Sequence, residues 1–576
     1  MNHQTSRQTF PAPDGEPLQY KSWLPEGGFK QTLLLLHRGH EHADRWDELI
    51  PYFSLPETAI FAWEARGHGQ SPGQRGHAPG FMTYVRDLES FVRHLESIHG
   101  LQRERIVVLA HSVGAVIAAT WVHDYAPPLA GLVLATPAFE VNLVVPGALS
   151  GIRLMQKLHS GSTIKSYVRG HWLTRDVAQQ QAYDADQTIS KDISAKILVD
   201  LFDTARRVVD DAAVMETPML LISAGDDRVV KNAAIKRFLF NYGAGRARHV
   251  HLHGARHGVF HDVCRDQAAR AVGEFLSERF EAPPAPRPAV ESSATRAEYE
   301  ALHQSLDPVS IKRLSFAAQR LSMQTLGKLS RGIQIGRKTG FDSGQSLDYV
   351  YENKARGITP IGKMIDRGYL NAIGWRGIRQ RREMMNVALK EALQVTAAAG
   401  LPRTLTDIAG GGGRYLLDVL NQDDSGLQVL CRDWSEGALE VGRQTAQSWG
   451  LDSRIRFEKG DAFDEESLAQ MHPSPSVGVV SGLYELFPDN DPLKRSLRGL
   501  YRAMRSGGCL VYTNQPWHPQ VEMIARVLIN RDGKPWIMRR RPQGEMDALV
   551  REAGFQKVTQ WTDDFGIFTV AVARKT

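Results

Sequence analysis

The chain has 576 residues, 42% of them hydrophobic and 23% charged, which is the composition of a soluble globular protein with room for several domains or two large ones. Its formal net charge of +6 is too dilute over this length to make a nucleic-acid-binding surface. Three cysteines, Cys264, Cys431 and Cys509, stand far apart in no metal-ligand spacing; they exclude a disulfide framework and a zinc site and fit a reducing cytoplasm.

The N-terminus, MNHQTSRQTFPAPDG, lacks the apolar core of a signal peptide. The most apolar run, Gly131–Leu149, is interrupted by Glu140 and Asn142, so no transmembrane helix is expected. Short apolar runs then read as buried parallel strands: Thr32–Leu36, Ala59–Trp63, Ile106–Ala110, Gly131–Ala135 and Met219–Ser223. Helical patterns lie between them, so an α/β sheet is expected over residues 1–280, with an insertion at about 138–214. A helix over Asp266–Phe280 closes this part. The following stretch, 281–294 (EAPPAPRPAVESSA), reads as an extended linker. Residues 295–400 look helical without a clear strand. From 401 the strand–helix alternation returns, with strands at Leu405–Ile408, Leu427–Cys431, Ile455–Glu458, Val477–Val480 and Cys509–Thr513.

In the first half the chemistry centres on Ala110-His111-Ser112-Val113-Gly114, which follows a strand and opens an alanine-rich helix, as a nucleophile elbow does. Ser112 then needs an acid and a base further along the chain. Asp226 and Asp227 follow the strand Met219–Ser223, and His257 lies in a loop before the last helix. An acid, a histidine and a serine in this order suit nucleophilic acyl transfer. An oxyanion hole needs two backbone N–H groups; Val113 and the loop at Gly39 are placed to supply them.

Longer motifs carry a resemblance. His37-Arg38-Gly39-His40-Glu41-His42, Glu64-Ala65-Arg66-Gly67-His68-Gly69-Gln70-Ser71-Pro72-Gly73-Gln74-Arg75-Gly76 and Gly254-Ala255-Arg256-His257 make residues 8–280 resemble the monoacylglycerol lipase and lysophospholipase branch of the α/β-hydrolases. Arg38 and Ala110 stand where that family has glycine. The resemblance implies an α/β-hydrolase fold with a helical cap that receives the acyl chain, a triad of Ser112, Asp227 and His257, and a lipid or other small ester as substrate. The string Asp227-Arg228-Val229-Val230 favours Asp227 over Asp226.

In the second half, Asp407-Ile408-Ala409-Gly410-Gly411-Gly412-Gly413 is a glycine-rich turn between a strand and a helix, and the next strand ends in Asp433. Such a pair suits a nucleotide-like ligand whose ribose hydroxyls meet the acid. Gly460-Asp461-Ala462 and the helix–Gly-Gly–strand segment Leu500–Leu510 decide between dinucleotide and S-adenosylmethionine. With them, residues 400–573 resemble the class I S-adenosylmethionine-dependent methyltransferases, a Rossmann-like fold. The resemblance implies that Asp407, Gly411, Gly413, Asp433 and Asp461 bind the cofactor. Tyr484 and Glu485, after the fourth strand, are candidate bases, with packing at a helix start as the commoner role. The helical extension at 295–400 resembles that of a bacterial methyltransferase family with this core and implies no particular activity.

The segment 308–341 carries Lys312, Arg313, Arg320, Lys328, Arg331, Arg337 and Lys338, with Ile311, Leu314, Ala318 and Leu321 on one helical face. Such a helix suits either packing on the methyltransferase or peripheral contact with the inner face of a membrane. The expectation is a cytoplasmic bifunctional enzyme, a serine ester hydrolase and a methyltransferase. A lipid esterase regulated by a silent S-adenosylmethionine-binding domain is the rival reading.

Overall fold

A computed structural model describes residues 3–53, 55, 57–143, 145, 147–159, 161–242, 246–282, 291–423 and 425–576. Most of the expected linker, and Val144 and Pro146 at the start of the expected cap, lie outside the described residues. The chain divides into two compact units, Met1–Arg287 and Pro288–Thr576.

The first unit contains β1 (His3–Pro11), β2 (Pro17–Pro25), β3 (Gln31–Leu36), β4 (Thr58–Trp63), β5 (Ile106–His111), β6 (Gly131–Ala135), β7 (Thr163–Lys165), β8 (Asp192–Ser194), β9 (Met219–Ala224) and β10 (Ala247–Leu252). Eight of them form one sheet in the order β1-β2-β4-β3-β5-β6-β9-β10. Only the β1–β2 and β2–β4 pairings are antiparallel. This is the α/β-hydrolase fold. The apolar runs are continuous because both faces are covered: Leu34 and Leu36 enter the core on one side, Leu33 and Leu35 that on the other. β1 was not expected, since an edge strand needs few apolar residues and it buries only Phe10 fully; nor was β2, which lies inside the sheet and buries Leu18, Tyr20, Ser22 and Trp23 among polar residues.

Between β6 and β9 the chain forms helices Ala148–Leu158, Gly170–Leu173, Val177–Ala185 and Ala195–Asp210 and the two-stranded antiparallel sheet of β7 and β8. The longest of these is anchored from below. Arg207 meets Asp124 at 2.5 and 2.8 Å, and His123 spans Asp124 and Asp211 at 2.7 and 2.8 Å. Burial opposes a charge on His123, but its two carboxylate partners raise its pKa.

The second unit begins with helices Ser293–His303, Ile311–Thr325, Arg331–Thr339, Gly344–Glu352, Pro360–Leu370 and Ile373–Ala398. Four are started by a side-chain cap, in which Ser310, Ser330, Ser343 and Thr359 accept the N–H three residues on at 3.2, 3.2, 3.2 and 3.0 Å. Buried Asp366 staples the bundle, accepting Ser330 Oγ at 2.5 Å, Gly332 N at 2.9 Å, Arg356 N at 2.7 Å and the Tyr349 hydroxyl.

The sheet that follows comprises β11 (Thr404–Asp407), β12 (Gln428–Asp433), β13 (Ile455–Lys459), β14 (Val477–Val480), β15 (Cys509–Asn514), β16 (Phe555–Thr562) and β17 (Thr569–Lys575). Their order is β13-β12-β11-β14-β15-β17-β16, with β17 antiparallel to both neighbours. The first five strands are parallel, so their following loops share one edge, and the reversal of order falls at β11 beside β14. This is the Rossmann-like methyltransferase fold with a helical extension. Among the described residues no helix is long and apolar enough to cross a membrane.

Candidate functional site

At the first unit's carboxyl edge, the turn from β5 into helix Val113–Tyr125 holds Ser112 at φ 56 and ψ −112, a strained conformation for a residue with a side chain. Gly114 is required there, because a Cβ would stand 2.5 Å from the His37 carbonyl oxygen. At Ala110 the elbow accepts a methyl group in place of hydrogen, fully buried in the sheet.

Ser112 Oγ lies 2.8 Å from His257 Nε2, and His257 Nδ1 lies 2.9 Å from Asp227 Oδ2. The other Asp227 oxygen accepts the N–H groups of Val229 and Val230, both at 2.9 Å. The His257 carbonyl is held by Thr136 Oγ1 at 2.9 Å and His111 Nε2 at 3.0 Å, which fixes the ring from its backbone. Asp226 is directed elsewhere, toward Arg175, Arg256 and Arg228 at 3.3, 3.4 and 3.5 Å. The structure thus brings Ser112, His257 and Asp227 into one chain of hydrogen bonds and leaves Asp226 out.

Val113 opens its helix, so its N–H has no intrahelical acceptor. Gly39 packs against Val113; a Cβ there would lie 3.1 Å from Val113 Cγ2. The loop carrying Gly39 is braced by His37. Its Nε2 accepts the Ala65 N–H at 3.0 Å, so Nδ1 carries the hydrogen and donates to the Arg38 carbonyl at 2.8 Å. Buried Arg38 donates to Glu41 at 2.6 Å and lies over the Tyr183 ring. Burial alone would raise the Glu41 carboxyl, but Arg38 and Arg45 hold it well below the usual range. The long motif at 64–76 is structural: a Cβ on Gly69 would strike the Glu64 carboxylate at 2.5 Å, and Arg66 pairs bidentately with Asp87 at 3.0 and 3.1 Å.

Ser112 and His257 open into a cavity of about 480 Å3. Residues of the insertion, Leu143, Val145, Ile152, Leu198 and Leu201 among them, form an apolar wall opposite the serine.

At the second unit's carboxyl edge, Gly411 and Gly413 adopt φ +57 and +64, and a Cβ on Gly411 would meet nothing within 4 Å. This leaves the loop backbone open to a ligand. Asp433, ending β12, accepts Gly411 N at 2.9 Å through one oxygen and Ser435 N at 2.8 Å through the other. Asp461 is exposed after β13 and accepts Phe463 N at 2.9 Å. Asp407 is fully buried. One of its oxygens accepts Ala409 N at 2.9 Å, and the other has no partner. Burial, reinforced by the Asp433 charge, pushes its pKa up to about 8. A lone buried acid of this kind fits a ligand that brings a cationic group, as S-adenosylmethionine does.

Tyr484 is packing, since its hydroxyl meets Ser496 Oγ at 2.9 Å within the core. Glu485 differs: one oxygen accepts Arg381 Nη1 at 3.3 Å, and the other is buried without a partner. Arg381, Gln515 and His518 line a cavity with Glu485 and were not marked by any sequence motif, because they come from separate elements.

Residues 272–575 match the family described as "Putative methyltransferase" and residues 28–263 the family described as "Serine aminopeptidase, S33". The "Uncharacterized protein YnbC" of Escherichia coli (strain K12) is 42% identical over 577 residues, spanning 98% of this chain and 97% of its own. The "Monoacylglycerol lipase" of Mycolicibacterium smegmatis is 26% identical over 269 residues, 46% of this chain and 94% of its own. Among solved structures, the monoacylglycerol lipase of Paleococcus ferrophilus is 21% identical with a TM-score of 0.41, covering 48% of this chain and all of that one.

Proposed function

The chain belongs to the family described as "Putative methyltransferase", and on that premise we propose a bifunctional enzyme, a serine ester hydrolase followed by an S-adenosylmethionine-dependent methyltransferase. For the hydrolase the carrying observation is the Ser112–His257–Asp227 relay at the floor of an apolar cavity. His257 Nε2 takes the Ser112 proton as Oγ attacks the ester carbonyl, and Asp227 stabilises the imidazolium. The N–H groups of Val113 and Gly39 receive the oxyanion. His257 then protonates the leaving alcohol. In the second half-reaction it takes a proton from water as the water oxygen attacks the acyl carbon, and returns a proton to Ser112 Oγ as the acid departs. The apolar wall suits one acyl chain, so the substrate class is a monoacylglycerol or lysophospholipid. Hydrolysis of a panel of such esters tests this; activity confined to short, water-soluble esters would exclude it.

In the second unit, bound S-adenosylmethionine supplies the methyl group. The loop at Gly411 and Gly413 would give it backbone room, Asp433 would hold its ribose hydroxyls, Asp461 would bind its adenine, and Asp407 would pair with its cationic group. The unpartnered oxygen of Glu485 favours catalysis over a silent sensor domain. We place the enzyme in the cytoplasm, acting on small molecules or lipids and not on nucleic acid.

The division into two units suggests separate folding. Ser292 N bonds Glu545 at 2.9 Å and a helix starts at Ser293, so the end of the expected linker belongs with the second unit. Expressed apart, residues 1–287 are expected to keep ester hydrolysis and residues 288–576 to bind S-adenosylmethionine, each melting cooperatively. Loss of cooperativity in either piece would show interdependence.

The same reading includes membrane contact. Helix Ile311–Thr325 has no buried residue, and Ile311, Leu314 and Leu321 are 86%, 61% and 60% exposed. The full chain is expected to sediment with anionic phosphatidylglycerol vesicles and not with phosphatidylcholine ones. Leu314→Asp with Leu321→Asp should weaken this about tenfold or more. Equal sedimentation with both lipids would remove the membrane from the proposal.

A further inference from the structure

The second unit contains a cavity of about 370 Å3, within the range of small-molecule sites. Its floor is the carboxyl edge of β14 and β15, through Gly482, Glu485, Gln515 and His518. Its opposite wall is the helical extension, through Tyr369, Trp375 and Ile378, and Trp536 and Phe568 close the side. The wall is aromatic and aliphatic, with the Trp375 and Trp536 rings 6.4 Å apart and 27° from parallel.

Five polar atoms of lining residues are buried without any hydrogen-bond partner: Glu485 Oε2, Asp342 Oδ1, Gln515 Nε2, Trp536 Nε1 and the Tyr369 hydroxyl. A buried polar atom is costly to leave unpaired, so five around one cavity point to a ligand that pairs some of them. His518 adds a donor. Its Nδ1 accepts Gln520 N at 3.0 Å, so the hydrogen sits on Nε2, and burial pushes its pKa down to about 4, leaving it neutral.

Charge narrows the ligand. Arg381 pairs with Glu485 and Arg531 with Asp342 at 3.3 and 3.1 Å, so both carboxylates are already balanced. A carboxylate or phosphate would meet two acids and no free cation in this lining. A fatty acid released by the first unit is thereby disfavoured. A neutral, proton-bearing nucleophile fits, since Glu485 Oε2 has an open lone pair.

Resting on the methyltransferase reading, we propose that this cavity holds the methyl acceptor, a neutral, largely apolar aromatic hydroxyl compound, with Glu485 as its general base. The hydroxyl oxygen takes up the methyl carbon as the carbon–sulfur bond breaks. The bonding pair stays on sulfur, and the hydroxyl proton passes to Glu485 Oε2 and then to water.

Calorimetry on the full chain with 2-naphthol, 2-naphthoate and, separately, S-adenosylmethionine tests this. 2-Naphthol is expected to bind about tenfold or more tightly than 2-naphthoate, and Glu485→Gln to narrow that ratio to below about threefold by freeing Arg381 to pair the naphthoate. Trp536→Arg should abolish 2-naphthol binding and leave S-adenosylmethionine binding intact. With methyl-labelled cofactor, 2-naphthol should be methylated by the natural protein and about 100-fold more slowly by Glu485→Gln, with its affinity little changed. Equal affinity for the two naphthalenes, no binding of 2-naphthol, binding without methylation, or undiminished methylation by Glu485→Gln would each overturn the proposal. Failure to bind S-adenosylmethionine would instead sink the methyltransferase reading itself, whereas cofactor binding without 2-naphthol binding would sink the cavity assignment alone.

Discussion

Ser112→Ala is expected to lower ester hydrolysis by about 10⁴-fold or more and to abolish labelling by a fluorophosphonate probe. The physical reason is that every covalent step runs through one oxygen. With Oγ gone, His257 has no proton to accept at 2.8 Å, and the free N–H of Val113 has no adduct to stabilise. His257→Ala should cost nearly as much, and the double variant scarcely more than either, because the groups act as a unit. Asp227→Asn should also cost several orders of magnitude, since an amide at 2.9 Å from Nδ1 favours the wrong tautomer. Asp226→Asn provides the contrast. Its partners are three arginines outside the relay, so activity should change by less than about threefold. Full hydrolysis by Ser112→Ala, or a loss at Asp226 matching that at Asp227, would remove the assignment.

The second large effect concerns Asp407 and Asp433. Asp433→Ala is expected to weaken S-adenosylmethionine binding by about 100-fold, since it removes the ribose acceptor and also the 2.9 Å brace on Gly411 N. Asp407 has a signature of its own. With its pKa near 8, it is mostly protonated in the free protein at pH 7. A cationic ligand beside it favours the charged form, so binding at pH 7 should release close to one proton. Calorimetric enthalpies should then vary with the ionisation enthalpy of the buffer; independence from buffer would contradict a neutral Asp407. The same shift governs stability. Unfolded, this carboxyl ionises near 3.8, so keeping it protonated in the fold costs increasingly as pH rises from about 4 to about 8. Asp407→Asn removes that dependence. Without ligand, its melting temperature should exceed that of the natural protein by more at pH 8 than at pH 5, while its affinity for the cofactor falls. A constant difference across that range would show that Asp407 is not buried as a neutral acid.

The chain by itself determined the two folds and pointed to Ser112, Asp227 and His257, which the structure joins by hydrogen bonds. Strands buried on both faces must be continuous apolar runs, and turns that crowd backbone against backbone must carry glycine, as Gly114 and Gly67 do; both leave local marks. Edge strands leave weak ones. β1 is largely exposed, so neither the 2-residue period nor composition announced it. Tertiary structure alone decided matters that depend on residues far apart in sequence. The geometric reason for Asp227 over Asp226, a choice the string Asp227–Val230 already favoured, was one: Asp227 meets His257, while arginines from the insertion and the last loop hold Asp226. The separation of Tyr484 from Glu485 was another: adjacent in sequence, they point to different surroundings, one to Ser496 in the core and the other to Arg381 and an unpaired position. The second cavity was a third, because its walls come from the helical extension, two strand ends and the segment after β15. Local sequence reports what one element needs in order to fold, whereas a cavity and its unpaired polar atoms exist only once separate elements have packed around the same space.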